Sequence, residues 1–280
     1  RPSLPASPGA IRLPATRDPG PRDPAAEFPA PVAVPAGTAI RIDGSTSLVL
    51  TNEALKSAFM ATYPGSVVQT DATGSDNGLQ ALLAGAVNLA ALSRPLSAEE
   101  EAKGLAAVPV GRDRIAIVVG VDNPFRRGFS LKQLAAVFQG EITNWATFGG
   151  VDRPIRVLLR PSVSGTTQAF QKLLLAGRSF GATANISTLT RDATTPMLRQ
   201  LGPDGIGYAT YAQVADQQTA RVLPIDGLTP EAEAYPLQRQ LFYVYRKPAD
   251  PAVRAFLGFA FSPSGRAATV RTGSAQQGAS

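Results

Sequence analysis

The sequence predicts an α/β protein with a largely parallel sheet. Short apolar runs have the length and composition of buried strands, and the stretches between them space their apolar residues as amphipathic helices do. In chain order, a strand is expected at residues 39–42, then helices at 52–63 and 76–84. The branched run at 115–121 reads as a second strand, followed by a helix at 131–139. A third strand at 155–159 leads into a helix at 166–175, and further helices are expected at 195–200 and 251–261. In sheets of this kind ligands sit beyond the carboxyl ends of strands, where loops enter helix N-termini.

Composition narrows the functions open to the chain. At 280 residues, with 44% hydrophobic and 17% charged residues, it has enough apolar material for one large domain or two modest ones. Residues 1–37 differ: they hold Pro2, Pro5, Pro8, Pro14, Pro19, Pro21, Pro24, Pro29, Pro31 and Pro35 and no strand or helix period, which reads as a Pro-rich leader or linker. Residues 273–280, rich in Gly, Ser and Gln, read as a flexible tail. The net charge of +6 is dispersed, with adjacent basic pairs only at Arg126-Arg127 and Arg246-Lys247, so no nucleic-acid tract is expected. Cys and His are both absent, which removes disulfides, thiol nucleophiles, the usual zinc sites and every His-based triad. No apolar run is long enough to span a bilayer.

Three loops repeat one chemistry, a Gly/Ser/Thr cluster between a strand and a helix: Gly44-Ser45-Thr46-Ser47, Thr73-Gly74-Ser75-Asp76-Asn77-Gly78 and Ser164-Gly165-Thr166-Thr167. A helix N-terminus carries unpaired N–H groups and partial positive charge, glycine lets backbone approach closely, and hydroxyls add donors. Singly, each loop is an ordinary N-cap; together they describe an anion site. Arg160 precedes the third loop and can present its planar fork to two oxygens of a tetrahedral anion. A nucleotide-binding P-loop does not fit, since no Gly-Lys-Ser/Thr stands at the required spacing.

From residue 40 to 271 the chain resembles the PstS-like phosphate-binding proteins of bacterial ABC importers, in a cyanobacterial-type variant. The segments that carry the resemblance are Gly44-Ser45-Thr46-Ser47-Leu48, Thr73-Gly74-Ser75, Leu92-Ser93-Arg94-Pro95-Leu96 and Val110-Gly111-Arg112-Asp113-Arg114-Ile115-Ala116. They continue through Phe138-Gln139-Gly140-Glu141-Ile142-Thr143-Asn144-Trp145, residues 160–166 and Gly205-Ile206-Gly207-Tyr208. The resemblance implies the two-lobed type II periplasmic-binding-protein fold with a hinge between lobes. Lobe 1 would comprise residues 38–113 plus 212–272, and lobe 2 residues 114–211.

The same resemblance implies an extracytoplasmic binding protein, not an enzyme, that captures inorganic phosphate in the inter-lobe cleft for ABC permease subunits. It would act as a monomer without cofactor or metal, in the periplasm or tethered through a removed N-terminal segment. Carried over residue by residue, the phosphate contacts fall on Thr46, Ser47, Ser75, Arg160, Ser164, Gly165 and Thr166. Ser45 is a further candidate. The family's carboxylate, which accepts the proton of hydrogen phosphate, is replaced here by Ser93, followed by Arg94; Asp76 is a candidate substitute acceptor and Arg94 a candidate second clamp. Sulfate and arsenate are tetrahedral too, and an oxyanion-sensing or surface-tethered domain uncoupled from transport is the alternative function.

Overall fold

The computed structural model describes residues 24–270. The chain enters through a short helix α1 (Pro24–Glu27), then strand β1 (Ala39–Gly44), a 3-10 turn at Thr46–Leu48 and helix α2 (Val49–Thr62). Strand β2 (Val67–Thr70), helix α3 (Ser75–Leu83), strand β3 (Leu89–Leu92) and helix α4 (Ala98–Ala102) follow. The long β4 (Leu105–Gly120) leads to α5 (Leu131–Phe138), a 3-10 turn at Trp145–Phe148, β5 (Arg156–Leu159) and α6 (Gly165–Leu175). Next come β6 (Ile186–Thr188), α7 (Thr194–Leu201), β7 (Gly205–Thr210), α8 (Tyr211–Val214) and β8 (Ala220–Leu223). The described chain closes with β9 (Gln238–Arg246), α9 (Pro251–Phe261) and α10 (Pro263–Val270).

The strands form one hydrogen-bonded path, β2-β1-β3-β9-β4-β7-β5-β6, with β8 also on β4. It behaves as two half-sheets because β4 belongs to both. Its residues 105–114 pair antiparallel with β9, and its residues 115–120 pair antiparallel with β7 on one edge and β8 on the other. Each half has its own core on both faces of the sheet. In the second lobe, Ile115, Ile117 and Val119 point into one cluster while Ala116 and Val118 point into another, as the two-residue period of a strand buried on both faces requires. In the first lobe, Ile40, Ile42, Phe59 and Phe256 fill one face and Leu79, Leu82, Ala90 and Leu92 the other.

Three expectations are corrected. The sheet is mixed: β1 with β2 and β3, and β5 with β6 and β7, are parallel, whereas every pairing of β4 and β9 is antiparallel. The return to the first lobe comes at Leu237–Gln238, not at residue 212. Between those points β8 pairs with β4 in the second half-sheet, and Leu223, Ile225, Tyr235 and Leu237 are buried in the second lobe's core. Finally, residues 1–23 of the Pro-rich leader and the tail at 273–280 lie outside the described residues, but the end of the leader packs on the first lobe. Phe28 is buried against Tyr245, Glu27 accepts a hydrogen bond from the Tyr245 hydroxyl at 2.9 Å, and the Pro31 carbonyl accepts one from Tyr63 at 2.8 Å. An aromatic side chain in apolar surroundings supplies the burial that the surrounding prolines cannot.

Candidate functional site

The three hydroxyl-rich loops lie at the carboxyl ends of β1, β2 and β5, two in the first lobe and one in the second, and they meet where the lobes meet. In the first, Ser45 caps the Thr46–Leu48 turn, its Oγ accepting from the Ser47 N–H at 3.2 Å, and Gly44 lies so close to Ala91 that a Cβ would stand 2.1 Å from its carbonyl oxygen. In the second, α3 begins at Ser75 with Gly74 as a cap that offers no side chain, so its first N–H groups have no acceptor from the cap. In the third, Ser164 caps α6 and accepts from the Thr167 N–H.

These loops converge. The Ser47 and Thr166 hydroxyls, from opposite lobes, lie 3.0 Å apart, and Thr210 at the end of β7 donates to Ser47 Oγ at 2.8 Å. Gly165 is pressed against the first lobe: a Cβ there would sit 2.1 Å from Ser75 Oγ and 2.3 Å from Ser93 Oγ. Ser45 donates to Ser93 Oγ at 2.9 Å, and the Ser93 N–H donates to Ser75 Oγ at 3.3 Å. Thr46, Ser47, Ser75, Ser93, Ser164 and Thr166 are all buried. So many hydroxyls in one dry place, each able to donate, make a site for an acceptor-rich ligand.

Arg160 is only 1% exposed. Its backbone N–H donates to the Tyr208 hydroxyl at 3.1 Å, and burial pushes that phenol up to about 12, so it stays neutral. The guanidinium spans the cleft: Nη2 donates to Thr46 Oγ1 of the first lobe at 3.0 Å, Nη1 to Thr194 Oγ1 at 3.1 Å, and Nε to Asp192 Oδ1 at 2.6 Å. The structure thus brings Thr46, Ser47, Ser75, Arg160, Ser164, Gly165 and Thr166 to one locus, with Ser45 and Ser93 forming its floor.

Asp76 and Arg94 are elsewhere. Arg94 donates to Glu100 at 2.8 and 2.9 Å and to Asp76 at 2.7 Å, and Asp76 also accepts from Gln168 of the second lobe at 2.6 Å. Burial raises Glu100, but its bonds from Arg94 and the Ser97 backbone hold it below the ordinary carboxylate value. This is a rim contact: the Asp76 side chain is 38% exposed and its oxygens already have partners.

Sequence reasoning missed a second buried cation. Arg239, on β9 beside the hinge, pairs with Asp113 through Nε at 3.0 Å and Nη2 at 2.7 Å, and donates to Thr166 Oγ1 and Thr210 Oγ1 at 3.1 Å and also to Ser47 Oγ. Burial pushes the Asp113 carboxyl up and the Arg239 guanidinium down; the close opposite charge works against both shifts. In the sequence Asp113 stands only within one of the segments that carry the family resemblance, and Arg239 and Asp192 stand in no cluster that marks them. Among the described residues no group of three or more Asp or Glu side chains could hold a metal.

A two-lobed α/β body with a hinge of adjacent strands and polar loops facing each other across the cleft defines a binding protein of the periplasmic class. The PBP superfamily domain matches residues 31–264, and the chain belongs to that superfamily's phosphate-binding PstS family. It is 30% identical over 242 residues to the phosphate-binding protein PstS of Pseudomonas aeruginosa, covering 75% of this chain and 74% of that one. PstS of Bacillus subtilis is 29% identical over 204 residues, covering 71% and 65%. A phosphate ABC transporter substrate-binding protein from Clostridium perfringens, so described and solved with bound phosphate, superposes with a TM-score of 0.77 at 27% identity, covering 86% of this chain and all of its own. An ABC-type phosphate transport receptor from Vibrio cholerae shares the fold, with a TM-score of 0.69 at 24% identity, covering 85% of this chain and 100% of its own.

Proposed function

We propose that this protein captures inorganic phosphate between its lobes outside the cytoplasm and delivers it to the permease subunits of an ABC importer. The observation that carries the reading is the convergence of the Thr46, Ser75 and Thr166 loops with Arg160 at one buried locus shared by both lobes. The PstS relatives support the choice of phosphate, and their kind supports an extracytoplasmic location and a binding role in place of catalysis. Among the described residues no helix is long and apolar enough to cross a membrane.

The chemistry is binding. Arg160 offers the fixed positive charge and a planar pair of donors, the first N–H groups of α3 and α6 offer backbone donors with the positive ends of their helices, and Thr46, Ser47, Ser75, Ser164 and Thr166 offer hydroxyls. Opening the lobes admits the anion, and closing them replaces its water shell with these donors. Charge-assisted bonds of this number in a water-excluded site support a Kd of about 1 μM or tighter, roughly −8 kcal/mol. A monomer suits this role, since a carrier has to present both lobes to the permease.

Isothermal titration with phosphate tests the reading. Micromolar binding is expected, and Arg160→Ala is expected to weaken it at least about tenfold, the loss of hydrogen bonds to a charged group. An Arg160→Ala protein that melts normally and binds phosphate as tightly as the parent would remove Arg160 from the site.

A further inference from the structure

A phosphate site built only of donors has one chemical gap. Hydrogen phosphate carries a proton and sulfate does not, so a site that separates them needs an acceptor fixed where that proton lies. Ser93, at the position where the family's carboxylate is expected, already receives the Ser45 hydroxyl at 2.9 Å and carries no charge.

Among the carboxylates at the cleft, Glu100 is paired with Arg94 and Asp216, which lines the same cavity as Asp192, is exposed; three of the others are committed. Asp43 receives the N–H groups of Gly44 and Thr73 and the Thr73 hydroxyl. Asp76 receives Arg94 and Gln168 at the rim. Asp113 receives Arg239, Thr210 and the Arg114 N–H. Asp192 differs. Its side chain is 3% exposed, its Oδ1 receives Arg160 Nε at 2.6 Å, and its Oδ2 is buried with no hydrogen-bond partner. It is the sole buried acceptor atom in that condition among the described side chains; the others are nitrogens of Arg114, Asn123 and Arg221. Leaving a charged oxygen dry and unpaired is costly, and such a group in a native site calls for a donor that arrives with the ligand.

Its position fits that use. Arg160 holds Asp192 through Nε and Thr46 through Nη2, so one guanidinium separates the carboxylate from a hydroxyl of the anion locus. Asp192 and Thr46 also line the same cavity of about 580 Å³ at the lobe boundary, with Thr194 and Gln213. Asp192 does not cap α7, whose N-cap is Ala193 and makes no side-chain bond, so the helix does not account for it.

We infer that Asp192 Oδ2 accepts the proton of hydrogen phosphate held by Arg160 and Thr46, and that this residue sets the preference of the protein for phosphate over sulfate. The inference rests on the phosphate reading of the site. Protonated phosphate completes the hydrogen bonding of the carboxylate; a fully deprotonated dianion meets it lone pair to lone pair and is repelled.

The test is calorimetric titration with inorganic phosphate and with sulfate of the parent, Asp192→Asn, Asp192→Glu and, as a rim control, Asp76→Asn, each checked by thermal melting. In the parent, phosphate binds and sulfate fails to compete at a hundredfold excess. Asp192→Asn removes the negative charge and replaces one acceptor oxygen with an N–H donor, so phosphate weakens, sulfate gains, and the ratio of their affinities contracts at least about tenfold, about 1.4 kcal/mol. Asp192→Glu keeps the charge but displaces it, so sulfate stays excluded while phosphate weakens at least about fivefold. Asp76→Asn leaves the ratio unchanged. An unchanged ratio in a folded Asp192→Asn protein overturns the inference and leaves the phosphate carrier standing. If Asp192→Asn does not fold, unchanged phosphate affinity in Asp192→Glu overturns it instead. A parent that binds both ions equally also overturns it, whereas a parent that binds no phosphate overturns the function on which it rests.

Discussion

A single methyl group at Gly165 decides whether the cleft can shut. Its Cβ would fall 2.1 Å from Ser75 Oγ and 2.3 Å from Ser93 Oγ, and both hydroxyls are fully buried, so neither can swing away. Gly165→Ala leaves the separate lobes intact, because the clash lies between them. The expected result is a melting temperature near the parent's with phosphate binding weakened at least tenfold; tight binding by the variant would show that the lobes do not need this approach. The Arg239–Asp113 pair makes the opposite prediction. Removing the cation alone leaves a buried carboxylate without its counter-charge, which costs about 3–5 kcal/mol, whereas replacing both members by apolar residues is close to neutral. Arg239→Met is expected to unfold at markedly lower denaturant than the parent, and Arg239→Met with Asp113→Leu to recover most of the loss. Equal midpoints for parent and single variant would mean that the pair contributes nothing. The residues legible in the sequence, Thr46, Ser75 and Ser164 to Thr166, carry a local signal because a helix start, a glycine and a hydroxyl stand together. Arg239 and Asp192 act through partners 126 and 32 residues away, and no local pattern announces such a pairing.

Elements were legible where the sequence punctuates them. Helix α9 begins with Asp250 capping Val253 and Pro251 at the first turn, and α5 begins with a reciprocal Ser130–Gln133 capping box, so both were bounded to within a residue. The first half of β4 was not legible. Pro109 and Gly111 argue against a strand interior, and they are tolerated because the register with β9 slips there in a bulge. β6 is only three residues long and too short for any period to register. The segment before β1 misled for a different reason: its prolines dominate the composition while one residue, Phe28, does the packing. Phe28 is 1% exposed and meets the Tyr245 ring edge-on at 5.5 Å. Truncating it is expected to cost about 3–5 kcal/mol, read as a lower denaturation midpoint for Phe28→Ala. A midpoint equal to the parent's would mean that the entry segment rests on the first lobe without stabilising it.

At the scale of the molecule, the bonds around Arg160 hold the two lobes together. Ser47, Thr166, Arg160 and Thr210 are buried, and their hydrogen bonds cross from lobe to lobe. A ligand that takes the donors of Arg160, Ser47 and Thr166 replaces the bonds that cross between the lobes, and the fold supplies a place for the lobes to part. The lobes are joined by two neighbouring segments, β4 passing from Asp113 to Ile115 and the chain at Leu237 to Gln238, tied by the Ile115 N–H to the Leu237 carbonyl at 2.8 Å. Two adjacent strands resist shear but allow bending about the line between them, an arrangement suited to rigid-body closure of the lobes. The chain has no cysteine, so two introduced ones give a single labelled pair. Val67 in the first lobe and Val151 in the second are each 45% exposed and suit spin labels. In Val67→Cys/Val151→Cys, electron double resonance is expected to give a broad distance distribution without phosphate and a narrower one, displaced from it, at saturation. Adding Arg160→Ala is expected to keep the distribution broad at the same phosphate concentration, because the clamp that rewards closure is gone. Identical distributions with and without phosphate, in a protein that calorimetry shows to be loaded, would rule out capture by hinge closure and require that the anion enter through a fluctuation of the loops alone.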